Sequence, residues 1–305
     1  MRDSLISIVT PVYNRPELLR KAIQSALTQT YNNFEYIIVD DASTEDVRSV
    51  VESFNDPRIK YYRNSKNMMM AATYNRGIAE AKGDYVAFLE SDDQWLLTKL
   101  EKQLKKFEDN SNAGVIYAGR FLIDPNEKIL GEDWPQFRGN IFKTCLERPL
   151  LVPTVLMVKK ELGDKIGWFD SVLPGWNDWD LIIRLSKIAE FDFVNELLVN
   201  FLIHPHQLTS EFDKNLQKTV DFYNLIYNKH KQDYKSNPDV SSNILRTIGG
   251  LYCRLGQNSI GRKYFQNAIK TRLLSFKNYR SYLLSFLNKN IFNFIYLISL
   301  KLRKK

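Results

Sequence analysis

Residues 34–41, FEYIIVDD, and 85–93, YVAFLESDD, decide how this chain reads, because each is a short apolar run that ends in carboxylates. The runs FEYIIV and YVAFL are β-branched or aromatic and bounded by polar residues, the pattern of a strand buried on both faces. Acids at the carboxyl ends of parallel strands project into the crevice where open α/β sheets bind ligands. Gathered there, they would repel one another unless a cation or a hydrogen-bonding ligand joined them. Asp and Ser also cap helices, so one such stretch would say little. Two in one half-sheet favour a ligand site.

Outward from these runs, strand-like and helix-like segments alternate over the first hundred residues. Residues 6–10 read as a strand and 16–28 as a helix with Leu18, Leu19, Ala22, Ile23, Ala26 and Leu27 on one face. Pro16 suits a first helical turn. A helix near 45–54, a strand at 59–63, a helix at 70–81, a helix at 96–108 and a strand at 115–118 extend the pattern. The alternation predicts an α/β fold with a mostly parallel sheet and helices on both faces. From 119 to 210 the chain reads as short strands and loops rich in Trp, Pro and Gly, and long connections of that kind are usually functional. Beyond 211 it reads as helical, with residues 244–268 spaced like one helix-turn-helix hairpin. The predicted domains are therefore 1–210, with a change of texture near 118, and a helical region at 211–305.

The 305 residues, 44% hydrophobic and 26% charged, are those of an ordinary globular protein. No secretory signal is visible, and Cys145 and Cys253 suggest neither a disulfide framework nor a zinc site, which points to the cytoplasm. The net charge of +8 hides an asymmetry: residues 211–305 hold 18 Lys and Arg against 5 Asp and Glu, with no acid after Asp239. The apolar residues 291–300 are too few to span a bilayer, which needs about 20. Followed by the basic residues 301–305, they suit the anionic inner face of a cell membrane or a helix packed on the first domain. No recognised nucleic-acid module accompanies the charge.

Six stretches in order carry a resemblance: SIVTPVYN (7–14), SALTQT (25–30), VDDAST (39–44), NRGI (75–78), FLESDDQW (88–95) and NDWD (177–180). Together they resemble the family 2 glycosyltransferases over roughly residues 4–210. The resemblance implies a GT-A type, Rossmann-like fold and an inverting transfer from a nucleotide sugar to a hydroxyl of a growing glycan. It places Thr10, Pro11, Tyr13, Asp40, Asp41, Asn75, Glu90 and Ser91 around the nucleotide. A carboxylate at Asp41 can accept from a uracil ring N–H, which favours a UDP-sugar. Asp92 is implied as a direct ligand of Mg²⁺ or Mn²⁺, with Glu90 and His204 as further candidates; such ions prefer oxygen donors. Asp178 stands where the family has its catalytic base, and Asp178 and Asp180 would also suit the first turn of a helix at 179–188. Trp176 and Trp179 offer flat faces for acceptor sugars, or anchor their loop as buried side chains.

The chain also departs from the family. Glu90 replaces an Asp, Asn177 the first acid of a pair, Leu202 a frequent Arg, Met69 a Gly and Tyr74 an Arg. Losing that Arg removes a fixed positive charge near the nucleotide. These departures suit a rival reading, a catalytically inactive relative that binds nucleotide or glycan. The basic tail suggests that the acceptor is lipid-linked and assembled at the inner membrane face.

Overall fold

In the computed structural model of the chain, which describes residues 4–204 and 215–295, β1 (Ile6–Val12), β2 (Phe34–Asp40), β3 (Ile59–Arg63) and β4 (Tyr85–Phe88) form one parallel block in the order β3-β2-β1-β4. Every residue of β1 and β2 is buried, so both faces of the sheet are covered there. The sheet continues through β8 (Leu156–Lys159), β6 (Ala113–Ile123), β9 (Glu190–Leu202) and β5 (Gln94–Trp95), while β7 (Ile129–Asp133) pairs with β6. β8 joins antiparallel to both neighbours, and β6 runs parallel to β9. The α/β expectation holds, and the strand-to-helix alternation falls where the apolar periodicity put it.

Register sets the site. Val12 pairs with Asp40 and Val9 with Phe88, so the three strands end side by side and their exits meet. α1 (Pro16–Leu27) buries Leu19, Ala22, Ile23 and Ala26. α2 (Val47–Glu52) is shorter than its predicted span, and α3 (Met69–Ala79) lies close on β1 and β2. Gly77 permits that approach: a Cβ there would stand 2.6 Å from Val9 Cγ1 and 3.0 Å from Val39 Cγ2. α4 (Lys99–Asp109) follows β5. The region expected to hold short strands instead contains β9, which is 13 residues long. Irregular register against β6 and charged residues along its length hide its periodicity. α5 (Phe142–Glu147), α6 (Lys160–Ile166) and α7 (Asn177–Ser186) lie between the later strands.

The chain divides into two compact units. The first runs to His204 apart from Leu146–Arg148; the second takes those three residues and the chain beyond. In the second unit, α8 (Leu216–Lys229), α9 (Lys231–Ser236), α10 (Pro238–Arg254), α11 (Asn258–Thr271) and α12 (Phe276–Leu284) precede a further helix at 289–295. The predicted hairpin is α10–α11. Its helices meet through Gly249 and Gly261, where a Cβ would come within 2.8 Å of the Phe265 ring and 2.5 Å of Cys253 Sγ. Cys145 and Cys253 are free and buried. No helix of the described residues is long and apolar enough to cross a membrane. Of the apolar stretch 291–300, residues 296–300 lie outside the described residues, as does the whole basic stretch 301–305.

Candidate active site

The β4 exit carries the acids. Leu89 donates its N–H to Val9 (3.1 Å), and its carbonyl accepts from the Thr10 hydroxyl (2.6 Å), which pins the turn to β1. Asp93 N–H closes that turn on the Glu90 carbonyl (3.1 Å). The chain then enters β5, whose pairing with β9 sets Leu202 N–H on Asp93 Oδ1 (3.1 Å). Two residues later His204 Nε2 lies 2.9 Å from Asp92 Oδ2. The same oxygen accepts from Arg15 Nη1 at 2.7 Å. Glu90, Asp92 and Asp93 offer ligand oxygens that lie within 4.8 Å of one another. Asp93 Oδ2 is buried without a hydrogen-bond partner among the described residues. An all-oxygen, mutually repelling set with an orphaned carboxylate oxygen fits a hard divalent cation such as Mg²⁺ or Mn²⁺.

Asp178 belongs to the same electrostatic neighbourhood. It sits in the first turn of α7 and accepts the Trp179 N–H at 2.8 Å. Burial pushes its carboxyl up to about 6, against the pull of that N–H and of Arg120. Glu90 is pushed up to about 8, by burial first and then by Asp92 and Asp178, with Arg120 and Arg15 opposing. Burial, Asp92 and Glu90 likewise raise Asp93. Asp180 is different: it turns inward to Arg184 Nε (2.7 Å), whose guanidinium also binds the Ile166 and Trp168 carbonyls. One acid of the NDWD stretch therefore braces the helix while the other faces the acid cluster.

A carboxyl whose folded pKa exceeds its unfolded value takes up a proton on folding, so stability falls as pH rises from about 4.5 towards 8. Glu90→Gln removes that cost. In the absence of metal it is expected to stabilise the fold by roughly 2 kcal/mol at pH 7.5, raising Tm by about 4–8 °C. Thermal melts of both proteins from pH 5 to 8 check this; a Tm difference that stays at zero throughout would remove the assigned repulsion.

The residues expected around a nucleotide are more heavily engaged by protein than their sequence suggests. Thr10 and Pro11 are buried in β1, and Tyr13 is exposed at the strand exit. Asp40 is held by Ser43 N–H (2.8 Å), Tyr61 hydroxyl (2.7 Å) and Arg63 Nη1 (2.7 Å). Asp41 accepts from Asn64 Nδ2 (2.7 Å) and from the N–H groups of Met68 (2.8 Å) and Met69 (2.9 Å). Met69 has φ +68°, a conformation that suits the family's glycine at this position. Asp41 thus holds a methionine in a glycine's backbone shape, and about one of its four acceptor sites is left. Asn75 closes both ends of its amide on Phe169, Nδ2 to the carbonyl (2.7 Å) and Oδ1 to the N–H (3.0 Å). Ser91 is buried within the acid turn.

On the acceptor side one expectation is corrected. Trp179 is 1% exposed and donates its indole N–H to the Cys145 carbonyl, so it is a core residue with no face for a sugar. Trp176, half-buried with φ +44°, tilts against it at 5.7 Å and keeps the candidacy.

Four residues of the candidate site have roles that their stretch of sequence does not announce. Asp93 looks like one more acid of a turn. Arg15 reaches Asp92 only because Asn14 and Arg15 both adopt positive φ, 59° and 64°, which nothing in their side chains announces. Arg120 sits on β6 with Nε and Nη2 on Asp133 (both 3.1 Å) and its guanidinium 4.4 Å from the Phe201 ring. Its Nη1 is buried without a partner among the described residues. Tyr74 stacks on Phe169 at 4.8 Å and meets Phe88 edge-on at 5.5 Å, with its hydroxyl buried and likewise unpartnered. Burial and the four acids Glu90, Asp93, Asp92 and Asp178 hold that hydroxyl protonated.

Comparison with known proteins agrees in kind. The sequence profile of Glycosyl transferase family 2 matches residues 7–165. An uncharacterized glycosyltransferase of Rickettsia prowazekii is 31% identical over 225 residues, which cover 72% of this chain and 70% of that protein. The Escherichia coli UDP-Glc:alpha-D-GlcNAc-diphosphoundecaprenol beta-1,3-glucosyltransferase WfgD is 38% identical over 132 residues, 43% of this chain and 51% of that enzyme. Among solved structures, the mannosyltransferase PcManGT of Pyrobaculum calidifontis, in complex with GDP-Man and Mn²⁺, aligns over 87% of this chain and 75% of its own with a TM-score of 0.59 at 16% identity. That likeness is one of fold.

Proposed function

The chain belongs to Glycosyl transferase family 2, and from that premise we propose that it moves a sugar from a UDP-sugar to a hydroxyl of a lipid-linked glycan, with inversion and with a divalent metal. The gathering of Glu90, Asp92 and Asp93, with Asp178 near enough for its charge to raise Glu90, carries the reading, since acids are gathered at such cost where chemistry needs them. Asp178 takes the proton from the attacking acceptor hydroxyl. The acceptor oxygen forms its bond to the anomeric carbon as the bond to the diphosphate breaks on the opposite face, and the nucleoside diphosphate leaves with that electron pair. Asp92, with Glu90, Asp93 and His204, would hold Mg²⁺ or Mn²⁺, which supplies neutralisation of the charge that develops on the leaving diphosphate.

On the chain's own side, Arg15 and His204 orient Asp92, and Tyr13 with the remaining acceptor site of Asp41 receives the uracil. Trp176 takes the acceptor sugar. The E. coli relative, by its name, uses a UDP-sugar and a lipid diphosphate acceptor, which supports uridine as the nucleotide and a lipid-linked acceptor. The mannosyltransferase with Mn²⁺ bound has the same fold. The basic second unit would hold the protein on an anionic membrane surface at the inner face of the cell, where such acceptors reside.

A thermal-shift screen of UDP-glucose, UDP-GlcNAc and GDP-mannose, each with and without Mn²⁺, tests the donor. At a hundredfold over Kd a bound donor stabilises by about 2.7 kcal/mol, or about 5–10 °C in a domain of this size. A UDP-sugar should give that shift with Mn²⁺ and much less without it. A shift from GDP-mannose alone would overturn the uridine assignment.

A further inference from the structure

We propose that α12 and its preceding turn form a docking face that inserts into an anionic lipid bilayer. The helix is held inward by both polar and apolar side chains: Asn278 donates Nδ2 to Ser242 Oγ (2.8 Å) and to the Ala268 carbonyl (2.9 Å), Ser285 is buried beyond its last turn, and Tyr282 and Leu284 pack on Cys253, Phe265 and Phe292. Its outward residues are apolar: Phe276 is 79% exposed, Leu283 67% and Phe286 62%, with Tyr279 between them. Positions 276, 279, 283 and 286 follow helical spacing, so they make one continuous stripe. Leu274, just before the helix, is 98% exposed. With Tyr282 and Leu284 already packed inward, this second apolar stripe is left open to another partner.

Charge chooses that partner. Lys277, Arg280 and Lys289 are exposed beside the stripe and make no ion pair among the described residues, and no acidic residue follows Asp239 anywhere in the chain. Asp239 pairs with Arg272 (3.2 Å) just before Leu274, and the rim that remains is net cationic, which repels a second copy of itself and complements an anionic lipid surface. Phe and Leu side chains flanked by Lys and Arg are the composition of helices that lie in the interfacial plane. The inference deepens the proposed membrane association and rests on that part of the reading alone; it needs neither donor nor metal. Vesicle binding therefore fails or succeeds independently of transfer activity.

The test is co-sedimentation of the full chain with vesicles of phosphatidylcholine, alone or mixed with phosphatidylglycerol. Wild type should partition onto the mixed vesicles and lose the preference at high salt. Leu274→Glu, Phe276→Glu and Leu283→Glu should each reduce partitioning about tenfold or more. Lys277→Gln and Arg280→Gln should each reduce it about fivefold. These side chains are exposed, so circular dichroism and Tm should stay at wild-type values. Three results would overturn the proposal: equal binding of the three Glu variants and wild type; binding that is lost with residues 296–305 alone and insensitive to the Glu variants; or a wild-type dimer in size-exclusion chromatography that the same Glu variants dissociate.

Discussion

Asp178→Asn should lower kcat by about 10²- to 10⁴-fold, the usual contribution of a positioned general base, with donor affinity unchanged. The substitution is nearly isosteric, and an Asn side-chain carbonyl can still accept the Trp179 N–H that Asp178 holds at 2.8 Å. The first turn of α7 therefore keeps its cap, and what disappears is the capacity to take a proton. The pH profile gives the same assignment a second readout. Burial raises Asp178 to about 6; only the ionised form is a base, so wild-type kcat/KM should fall about tenfold per pH unit below that value and level off above it. Measured nucleotide release by Asp178→Asn at the wild-type rate, with the acid limb still in place, would remove Asp178 from the reaction.

Asp92→Asn should be comparably damaging for a different reason. A metal against a diphosphate contributes several kcal/mol of charge stabilisation, so its loss should cost about 10³-fold or more in kcat. The same change weakens the shared anchor of Arg15 and His204, both of which meet Asp92 Oδ2. Mn²⁺ titration followed by electron paramagnetic resonance separates the two variants. Asp178→Asn should bind Mn²⁺ as wild type does, and Asp92→Asn should not. Chelation of wild type with EDTA should reproduce the Asp92→Asn defect and Mn²⁺ should reverse it; EDTA-insensitive transfer would end the metal assignment.

What could be read in the linear chain follows from periodicity. Strands buried on both faces must be apolar throughout, as β1 and β2 are, and a helix beside them must repeat its apolar residues every three or four positions, as α1 does. Carboxylates just after such strands had to emerge at one edge of the sheet, so the gathering of Glu90 and Asp92 was legible. Met69 was legible as an oddity and becomes intelligible with its φ of +68° and the Asp41 carboxylate on its N–H.

The amino-acid sequence by itself determined the parallel α/β core, the family, the placement of acids at strand exits and the basic second unit, because those depend on local pattern and on motif order. Only the tertiary structure decided which polar group serves the fold and which is left to face the acid cluster. Asp180 and Trp179 went to the core while their neighbours Asp178 and Trp176 did not. Arg15 joined Asp92 across 77 residues through two left-handed backbone positions. Tyr74 and Arg120 placed unpartnered donor atoms in the field of the acids from distant elements. Hydrogen-bond partners and desolvation are set by what the fold brings within a few ångströms, and that information is not carried by any single stretch of chain.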